Sequence, residues 1–347
     1  MKAATFFPTY GYRNGTDWDI PVRAWLHANH DFFGQVLAHV VAGFHDLSND
    51  ERANFETRTA DLIADDVKDT RIQIIFDKDE INKSFDIVDE TGSPLKSDLN
   101  GVIEGTIRLT ALDAERIKVS QHSEDGWLSF HSGSDPQGRG SVQLLAPEGD
   151  SIISDIDDTI KITEIPAGIK IVAQNTFLRN FVAVDGMATR YASLGTSSFH
   201  YISGAPWQLF KPESDFLLRV AGFPAGTFHL KTVDKNLLSR ATWENFEELA
   251  ADRFDTKIAT FKQKVLQISE LIKNLPQRKF TLFGDSGEKD PEVYKWIRAQ
   301  FPNAVRKIYI RDVLHNGPTN PRFDGMEIIQ APLITSGVSQ FGNRHHS

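Results

Sequence analysis

Three aspartates lie within four positions of the segment SIISDIDDTIK, which spans residues 151–161. They follow a short apolar run that is typical of a buried strand, although carboxylates resist burial and repel one another. Asp155, Asp157 and Thr159 form the pattern D-x-D-x-T, and alternate residues of an extended chain point to the same side. Two carboxylates held together need a cation or a shared proton, and Mg²⁺ is the usual cation beside phosphate. The pattern therefore predicts phosphoryl chemistry, in which one carboxylate attacks phosphorus and its neighbour handles a proton.

Polar side chains also accompany other predicted strands in the later part of the chain. Ser203 and Gly204 end one strand just before a helix, where a hydroxyl and free backbone N–H groups can hold a phosphate. Asp285 ends another strand and Asp290 follows five residues later, which adds carboxylate oxygens for a metal ion. Lys264 lies on a helix leading toward that strand, and a lysine can pair with a phosphoryl group. Each feature alone is typical of an ordinary turn, cap or solvated helix, but their order at successive strand ends predicts one site.

Strand and helix patterns alternate after residue 148, which predicts a parallel sheet covered by helices on both faces. In such sheets ligands bind beyond the carboxyl ends of the strands, where the aspartate cluster lies. The predicted strands are 152–155, 199–203, 227–230, 280–285 and 307–310. The clearest predicted helices are LSRATWENFEELA at 238–250 and FKQKVLQISELIKNL at 261–275.

The part before residue 148 predicts a mainly β, sandwich-like domain with some helix. It opens irregularly and then has helical spacing in HDFFGQVLAHVVAGFH at 30–45, followed by a capping box at 48–51. Phe55, Leu62 and Ile63 are expected on the inward face of that second helix. Period-two patterns predict strands at 71–76, 85–88, 101–109, 116–121, 127–133 and 140–145. The proline and glycine of LLAPEGD suggest a linker, so the predicted units are 1–147, 148–335 and a tail at 336–347.

Composition sets the outer bounds on function. The 347 residues are 40% hydrophobic and 24% charged, as in a soluble globular protein of two domains. A net charge of −9 makes the whole molecule a poor match for nucleic acid or for lasting adsorption to anionic lipid. The absence of cysteine excludes thiol chemistry and disulfides, and no apolar stretch reaches the roughly 20 residues of a membrane span. We expect a cytoplasmic or peripheral membrane protein, although a trimmed exported protein would look the same.

The ordered motifs identify a family resemblance. D-x-D-x-T, a strand-terminal Ser, a Lys and G-D-x-x-x-x-D resemble the four motifs of the haloacid dehalogenase superfamily of phosphatases. Longer stretches resemble the catalytic domain of the Mg²⁺-dependent phosphatidate phosphatases of the actin-patch-protein type, over roughly residues 148–315: SDIDDTIK, NTFLRNFVAVDGM, YISGAPWQLF, GFPAGTFHL, FGDSGEKDPEVY and IYIRDV. A β-rich domain ahead of the catalytic one is compatible with that family.

The resemblance implies a role for each motif residue before the lysine. Asp155 would be the nucleophile that becomes aspartyl-phosphate, and also a metal ligand. Asp157 would be the general acid and base, and would bind the metal through its backbone carbonyl. Thr159 would brace the turn beside the substrate, while Ser203 and the Gly204 N–H would hold the phosphoryl oxygens.

The resemblance also assigns the later motifs. Lys264 would neutralise charge near the nucleophile, although Lys262 lies only two residues away and is an alternative. Asp285 would complete the Mg²⁺ site, and Asp290 would bind the metal directly or hold a ligand.

Charged residues beside these motifs are expected to have structural or solvent-exposed positions. Asp158 should point away or cap the turn. Glu288 and Lys289 are near enough to touch substrate, but exposure is the simpler expectation.

The interval between the first two motifs is short for a large lid domain, so the site is expected to be open. Phe177, Leu178 and Phe181, with Lys170 and Arg179 nearby, are candidates for contact with a lipid surface. The alternative is that the apolar residues pack onto the sheet.

Phosphatidate hydrolysis to diacylglycerol and phosphate is the leading functional prediction, with transient contact at a membrane surface and no role in nucleic-acid binding. The first alternative is the same chemistry on another phosphomonoester. The second is a catalytically silent lipid-binding module, which would be expected to lack one of the aspartates. The chain retains all of them: Asp155, Asp157 and Asp285.

Overall fold

The structure is a computed structural model that describes residues 2–28, 47–62, 64–195, 197–231 and 257–329. The predicted helices at 30–45 and 238–250, the expected inward residue Ile63 and the predicted tail at 336–347 lie outside the described residues. Two β-sheets organise the described chain, one before residue 145 and one after residue 149. No helix within these ranges is long and apolar enough to cross a bilayer.

The first sheet contains nine strands among the described residues, and neighbouring strands are antiparallel apart from β2 and β9. They are β1 (Lys2–Phe6), β2 (Thr9–Asn14), β3 (Asp17–Ala28), β4 (Asp65–Asp66), β5 (Gln73–Phe76), β6 (Ser84–Asp86), β7 (Val102–Leu109), β8 (Trp127–Ser132) and β9 (Arg139–Leu144). Ile20 and Ile107 share one buried core with Ile74 and Phe130. Strands from both ends of the sheet therefore pack on a common interior.

Most of the period-two segments form the strands that were predicted, and one does not. The confirmed ones lie at 71–76, 85–88, 101–109, 127–133 and 140–145. The predicted strand at 116–121 is wrong, because those residues belong to a helix, Ala111–Gln121. The side chain of Thr110 accepts a hydrogen bond from the N–H of Asp113 and starts the helix, and Ile117 is buried in the β core. The irregular opening is also wrong, because β1, β2 and β3 occupy it.

The predicted capping box is confirmed at the start of helix α1 (Asn49–Thr59). The Ser48 hydroxyl accepts a hydrogen bond from the N–H of Glu51 at 3.3 Å, and the Glu51 carboxylate accepts one from the N–H of Ser48 at 3.0 Å. Phe55 and Leu62 are buried, as their inward placement required. The helix between β7 and β8 is α2 (Ala111–Gln121).

The second sheet is parallel throughout and confirms the predicted sheet. Its strands are β10 (Asp150–Asp155), β11 (Ser198–Pro206), β12 (Gly226–Lys231), β13 (Lys279–Asp285), β14 (Val305–Arg311) and β15 (Glu327–Ile329), in the spatial order β12-β11-β10-β13-β14-β15. Because β10 lies between β11 and β13, the carboxyl ends that carry Asp155, Ser203 and Asp285 meet at one edge of the sheet.

Helices cover both faces of this sheet, as the alternation predicted. They are α3 (Ile169–Ala173), α4 (Met187–Ala192), α5 (Phe210–Asp215), α6 (Lys257–Asn274) and α7 (Asp290–Gln300). On one face Ile153 packs with Ile268 of α6 and Val293 of α7. On the other face Ile152 packs with Tyr191 of α4. The packing fixes α6, which carries Lys264, over the sheet.

A wholly buried histidine should make the stability of the fold depend on pH. His200 of β11 contacts the hydroxyls of Thr227 at 2.8 Å and Ser151 at 3.3 Å. Burial, with smaller contributions from His229 and Arg278, lowers the pKa of His200 well below its ordinary value. The His200 imidazole therefore stays neutral in the native state below about pH 6.5, whereas in the unfolded chain it takes up a proton. The free energy of unfolding should therefore fall as pH falls.

We expect this one histidine to contribute a slope of about 1.4 kcal/mol per pH unit below about pH 6.5. Denaturant unfolding of His200→Asn should lose that part of the slope. His122→Asn is the matched control, because His122 is exposed at the end of α2. An unchanged slope in His200→Asn would show that another group titrates.

Candidate active site

Asp155 is the last residue of the central strand β10, and its side chain is only 1% exposed. The Lys264 ammonium donates to its Oδ1 at 2.7 Å, and the Thr159 hydroxyl donates to its Oδ2 at 3.1 Å. Burial raises the pKa of Asp155 well above its ordinary value, Lys264 opposes the rise, and the carboxylates of Asp290 and Glu288 add to it. The strand end thus holds a carboxylate that is oriented from two sides.

Lys264 contacts three carboxylates at once. Its ammonium lies 2.7 Å from Asp155, 2.6 Å from Asp290 and 3.0 Å from Glu288. Burial alone would lower the pKa of Lys264, but these carboxylates raise it well above its ordinary value, so the side chain is charged. Lys262, the alternative in the sequence, is exposed on the same helix.

Asp157 has a separate set of partners from Asp155. Its Oδ1 accepts a hydrogen bond from the Thr163 hydroxyl at 2.6 Å and lies 2.9 Å from the Lys161 ammonium. Its Oδ2 accepts a hydrogen bond from the Ser203 hydroxyl at 3.1 Å. Burial alone would raise the pKa of Asp157, but Lys161 and the two hydroxyls lower it below its ordinary value. Asp157 is therefore ionised and connected to Ser203 at the end of the neighbouring strand.

A buried ion pair beside Asp157 was missed in the sequence. Lys161 is 1% exposed and its ammonium also donates to Glu213 Oε1 of α5 at 2.9 Å. Lys161 lies two residues after Thr159 in the first motif, which was the available signal for it. Glu213 lies far along the chain and carried no comparable signal. Lys161 supplies the positive charge that keeps Asp157 ionised.

Asp158 caps the turn after β10, as expected. Its carboxylate accepts hydrogen bonds from the backbone N–H groups of Thr163 at 2.9 Å, Glu164 at 2.7 Å and Ile165 at 2.6 Å. This capping folds the chain after the motif back over the strand end, and so brings Thr163 to Asp157.

Asp285 lies at the end of β13 and has one satisfied and one unsatisfied carboxylate oxygen. Its Oδ1 accepts hydrogen bonds from the N–H groups of Gly287 at 2.6 Å and Glu288 at 3.2 Å. Its Oδ2 is buried and has no hydrogen-bond partner among the described residues. Asp290 supports this strand end, because its Oδ2 accepts a hydrogen bond from the N–H of Asp285 at 3.2 Å.

Three carboxylates form a cluster that can hold a metal ion. Oxygens of Asp155, Asp285 and Glu288 all lie within 4.8 Å of one another. The expected exposure of Glu288 is therefore wrong, because the turn after β13 folds its half-buried side chain toward Lys264. The other two predicted ligands are not in this cluster: the Asp157 side chain bonds to Thr163 and Ser203, and Asp290 bonds to Lys264, which it shares with Asp155 and Glu288.

Ser203 and Gly204 do not end their strand as predicted, because β11 continues through an irregular part to Pro206. The register with β12 shifts between Ile202 and Pro206, and the Ser203 hydroxyl accepts a hydrogen bond from the N–H of Ala205 at 2.9 Å. A Cβ atom at Gly204 would lie 3.0 Å from Cγ2 of Thr260, so the glycine allows α6 to approach the strand closely.

Comparison with known proteins identifies the segment that carries this geometry. Residues 151–312 match the family model described as the catalytic domain of phosphatidate phosphatase APP1. This segment of the chain is similar to that family. The predicted family resemblance is therefore confirmed, and the APP1-type segment contains every predicted site residue from Asp155 to Asp290.

Two curated relatives share the APP1-type segment. Phosphatidate phosphatase APP1 of Saccharomyces cerevisiae is 32% identical over 175 residues, which cover 49% of this chain and 27% of the relative. An uncharacterized protein of Schizosaccharomyces pombe is 28% identical over 213 residues, which cover 60% of this chain and 31% of the relative. The chain thus spans about a third or less of the length of these relatives. Among solved structures, a Ruminococcus gnavus β-glucuronidase covers 90% of this chain and 44% of its own at 9% identity, with a TM-score of 0.22 that supports no conclusion.

The expected lipid contact through Phe177 and Leu178 of the APP1-type segment is wrong. Both side chains are buried, and Phe181 is half-buried with the Arg58 guanidinium 3.6 Å from its ring centroid. Helix α1, which lies outside the APP1-type segment, covers this region. Its Arg58 donates to the Thr176 carbonyl at 2.9 Å and to the Arg179 carbonyl at 2.7 Å. The apolar residues pack inside the protein because a distant helix covers them.

Proposed function

We propose that the chain is a Mg²⁺-dependent phosphatidate phosphatase of the haloacid dehalogenase type, which works through an aspartyl-phosphate on Asp155. The observation that supports this proposal most strongly is the position and orientation of Asp155. It lies at the carboxyl end of the central strand, is oriented by Lys264 and Thr159, and belongs to an oxygen cluster within an APP1-type segment. A buried carboxylate held in one orientation is suited to attack an incoming phosphoryl group.

Asp155 and Asp157 divide the chemistry between them. In the first step an oxygen of Asp155 bonds to phosphorus, the phosphorus–oxygen ester bond breaks, and the released alcohol oxygen takes a proton from Asp157. In the second step water attacks phosphorus, the aspartyl-phosphate bond breaks, and Asp157 takes the proton of the water. Asp157 is ionised before substrate arrives, which is the state of a base. An anionic phosphate raises the pKa of a nearby carboxylate, which favours the proton uptake that the first step requires.

Ser203, Gly204, Thr159 and Lys264 are proposed to hold the phosphoryl group. The Ser203 hydroxyl donates to Asp157 and can turn to a phosphoryl oxygen when one is present. Lys264 remains charged through its three carboxylates, and a charge-assisted hydrogen bond to phosphate is roughly twice as strong as a neutral one.

The residues at the strand ends fit a hard divalent cation. Four carboxylates lie close together at this position: those of Asp155, Asp285, Glu288 and Asp290. The Lys264 ammonium contacts three of them, so negative charge is in excess in this cluster. The buried Oδ2 of Asp285 also lacks a partner among the described residues. Asp155, Asp285 and Glu288 would hold Mg²⁺, and Asp290 would orient Lys264 and the Asp285 backbone. When bound, the ion would offset the carboxylate repulsion and polarise a phosphoryl oxygen.

Phosphate release from a panel of lipid and soluble phosphomonoesters, with and without Mg²⁺, tests the proposal. We expect chelation by EDTA to abolish release and Mg²⁺ to restore it, because the carboxylate cluster repels itself without a cation. Excess Ca²⁺ should inhibit, since its larger and looser coordination misplaces the nucleophile. Phosphatidate in mixed micelles should be preferred over sugar phosphates.

The outcomes separate the alternatives. Full activity in EDTA would contradict the metal site. Higher kcat/KM for soluble phosphates would replace the lipid assignment with a general phosphomonoesterase. Lipid binding without phosphate release from any substrate would instead indicate a silent binding module.

A further inference from the structure

A small pocket lies beside the proposed nucleophile, because Lys264 in its wall is 2.7 Å from Asp155. Lys264 and Asp290 lie in a pocket of about 30 Å³ whose other walls include Ile165, Phe261 and Glu288. Pockets that enclose a drug-sized ligand measure roughly 300–1,000 Å³. This pocket has no room for acyl chains, so a lipid substrate has to present its phosphate from outside. We take the mouth of this pocket as the entrance to the site, so the surface around it decides how a lipid reaches Asp155.

Apolar side chains line that entrance or lie beside its wall residues in space or in sequence, and we call them the entrance rim: Ile165, Pro166, Ala167, Phe261 and Leu314. Ile165 and Phe261 line the pocket and are half-exposed, while Pro166 and Ala167 are exposed. Cγ of Pro166 lies 2.8 Å from where a Cβ atom on Gly287 would be, two residues from Asp285. Leu314 is 44% exposed, and its N–H donates to the hydroxyl of Ser286, the residue next to Asp285.

Exposed cations line the entrance or neighbour the rim residues in sequence, in a chain whose net charge is −9. Lys289 is exposed and lines the pocket. Lys262 is exposed next to Phe261, and Lys170 is exposed four residues after Pro166. The exposed Glu164 opposes them, although its carboxylate accepts a hydrogen bond from Asn175 at 2.9 Å. Apolar side chains bordered by lysines match the interface of a bilayer that contains anionic lipid.

We propose that the entrance rim is the surface with which this protein contacts an anionic lipid bilayer. The apolar side chains enter the interface and the lysines attract the headgroups, so that phosphate is presented to Asp155 while the acyl chains stay in the membrane. The inference rests on the proposed phosphatidate phosphatase function. In this proposal the exposed rim residues contact the membrane in place of Phe177 and Leu178, which are buried.

The main test uses the full chain carrying Ala167→Asp and Leu314→Asp. Its matched control is Leu99→Asp with Leu112→Asp, because these leucines are 77% and 83% exposed in the part of the chain before residue 148. Hydrolysis is measured on phosphatidate in phosphatidylcholine vesicles and on monomeric dioctanoyl phosphatidate. We expect the ratio of vesicle to monomer kcat/KM to fall about tenfold in the rim variant and to stay at the wild-type value in the control.

A binding arm keeps the test independent of catalysis. Cosedimentation with the same vesicles is measured in an Asp155→Asn background for three forms: without further change, with the rim substitutions Ala167→Asp and Leu314→Asp, and with Lys170→Glu and Lys262→Glu. We expect the lysine substitutions to weaken binding and to flatten its dependence on salt, since exposed charges are screened by ions. Binding and a vesicle-to-monomer ratio that both stay at wild-type values in the rim variant would overturn the rim. Failure of the wild type to hydrolyse either form of phosphatidate would instead overturn the proposed function, while the binding arm still decides the rim.

Discussion

Replacement of Asp155 by Asn is expected to lower phosphatase turnover about 10⁴-fold or more, because the amide cannot form the aspartyl-phosphate. The fold should survive. Thr159 can still donate to the remaining side-chain oxygen, and Lys264 keeps its contacts with Glu288 and Asp290. The measurement is single-turnover phosphate release with Mg²⁺, together with the midpoint of denaturant unfolding.

Asp150→Asn is the matched control for this substitution. Asp150 begins the same strand, β10, and its carboxylate forms a surface ion pair with Arg306 at 2.8 Å. An exposed pair of this kind contributes about 0–1 kcal/mol, so the control should retain both turnover and stability. Turnover near the wild-type rate in Asp155→Asn would refute the nucleophile assignment.

Replacement of Lys264 by Met should impair both activity and stability. The ammonium contacts Asp155, Glu288 and Asp290 in the protein interior, so its loss leaves buried carboxylates uncompensated. Removal of one partner of a buried ion pair costs about 3–5 kcal/mol of unfolding free energy. We expect turnover to fall about 10²–10³-fold as well, since a preorganised charge at the reacting group is lost. Chemical denaturation without Mg²⁺ and phosphate release with saturating Mg²⁺ measure the two effects.

Lys262→Met separates this role from a general effect of losing a lysine on α6. Lys262 is exposed, and substitutions at such positions usually change stability by about 0.5 kcal/mol or less. We expect it to turn over soluble phosphomonoesters much faster than Lys264→Met does. If Lys262→Met is instead the inactive variant, the lysine assignment is wrong.

The sequence by itself determined the parallel sheet and the order of its motifs. Its strands are short apolar runs bounded by turn residues, and this signal is local because both faces of a buried parallel strand are apolar. The carboxyl ends of such strands share one edge, so the placement of Asp155, Ser203 and Asp285 at that edge followed from the strand assignment alone. The capping box at Ser48 was predictable for the same reason, because all its partners lie within one helical turn.

Tertiary structure decided the features that depend on distant partners. Residues 116–121 alternate like a strand, yet they are helical and bury Ile117 against the β core. In the sequence Phe177 was a candidate for surface contact, but it is buried in the structure. Helix α1, more than 100 positions earlier in the chain, covers this region through Arg58.

The charges of the site show the same dependence on distance. Glu288 becomes part of the oxygen cluster only because the turn after β13 folds it toward Lys264 of α6. Lys161 stays charged in the interior because Asp157 and also Glu213, 52 positions away, contact its ammonium. Burial and ion pairing require two segments of the chain that meet in space, and a local sequence pattern describes only one of these segments.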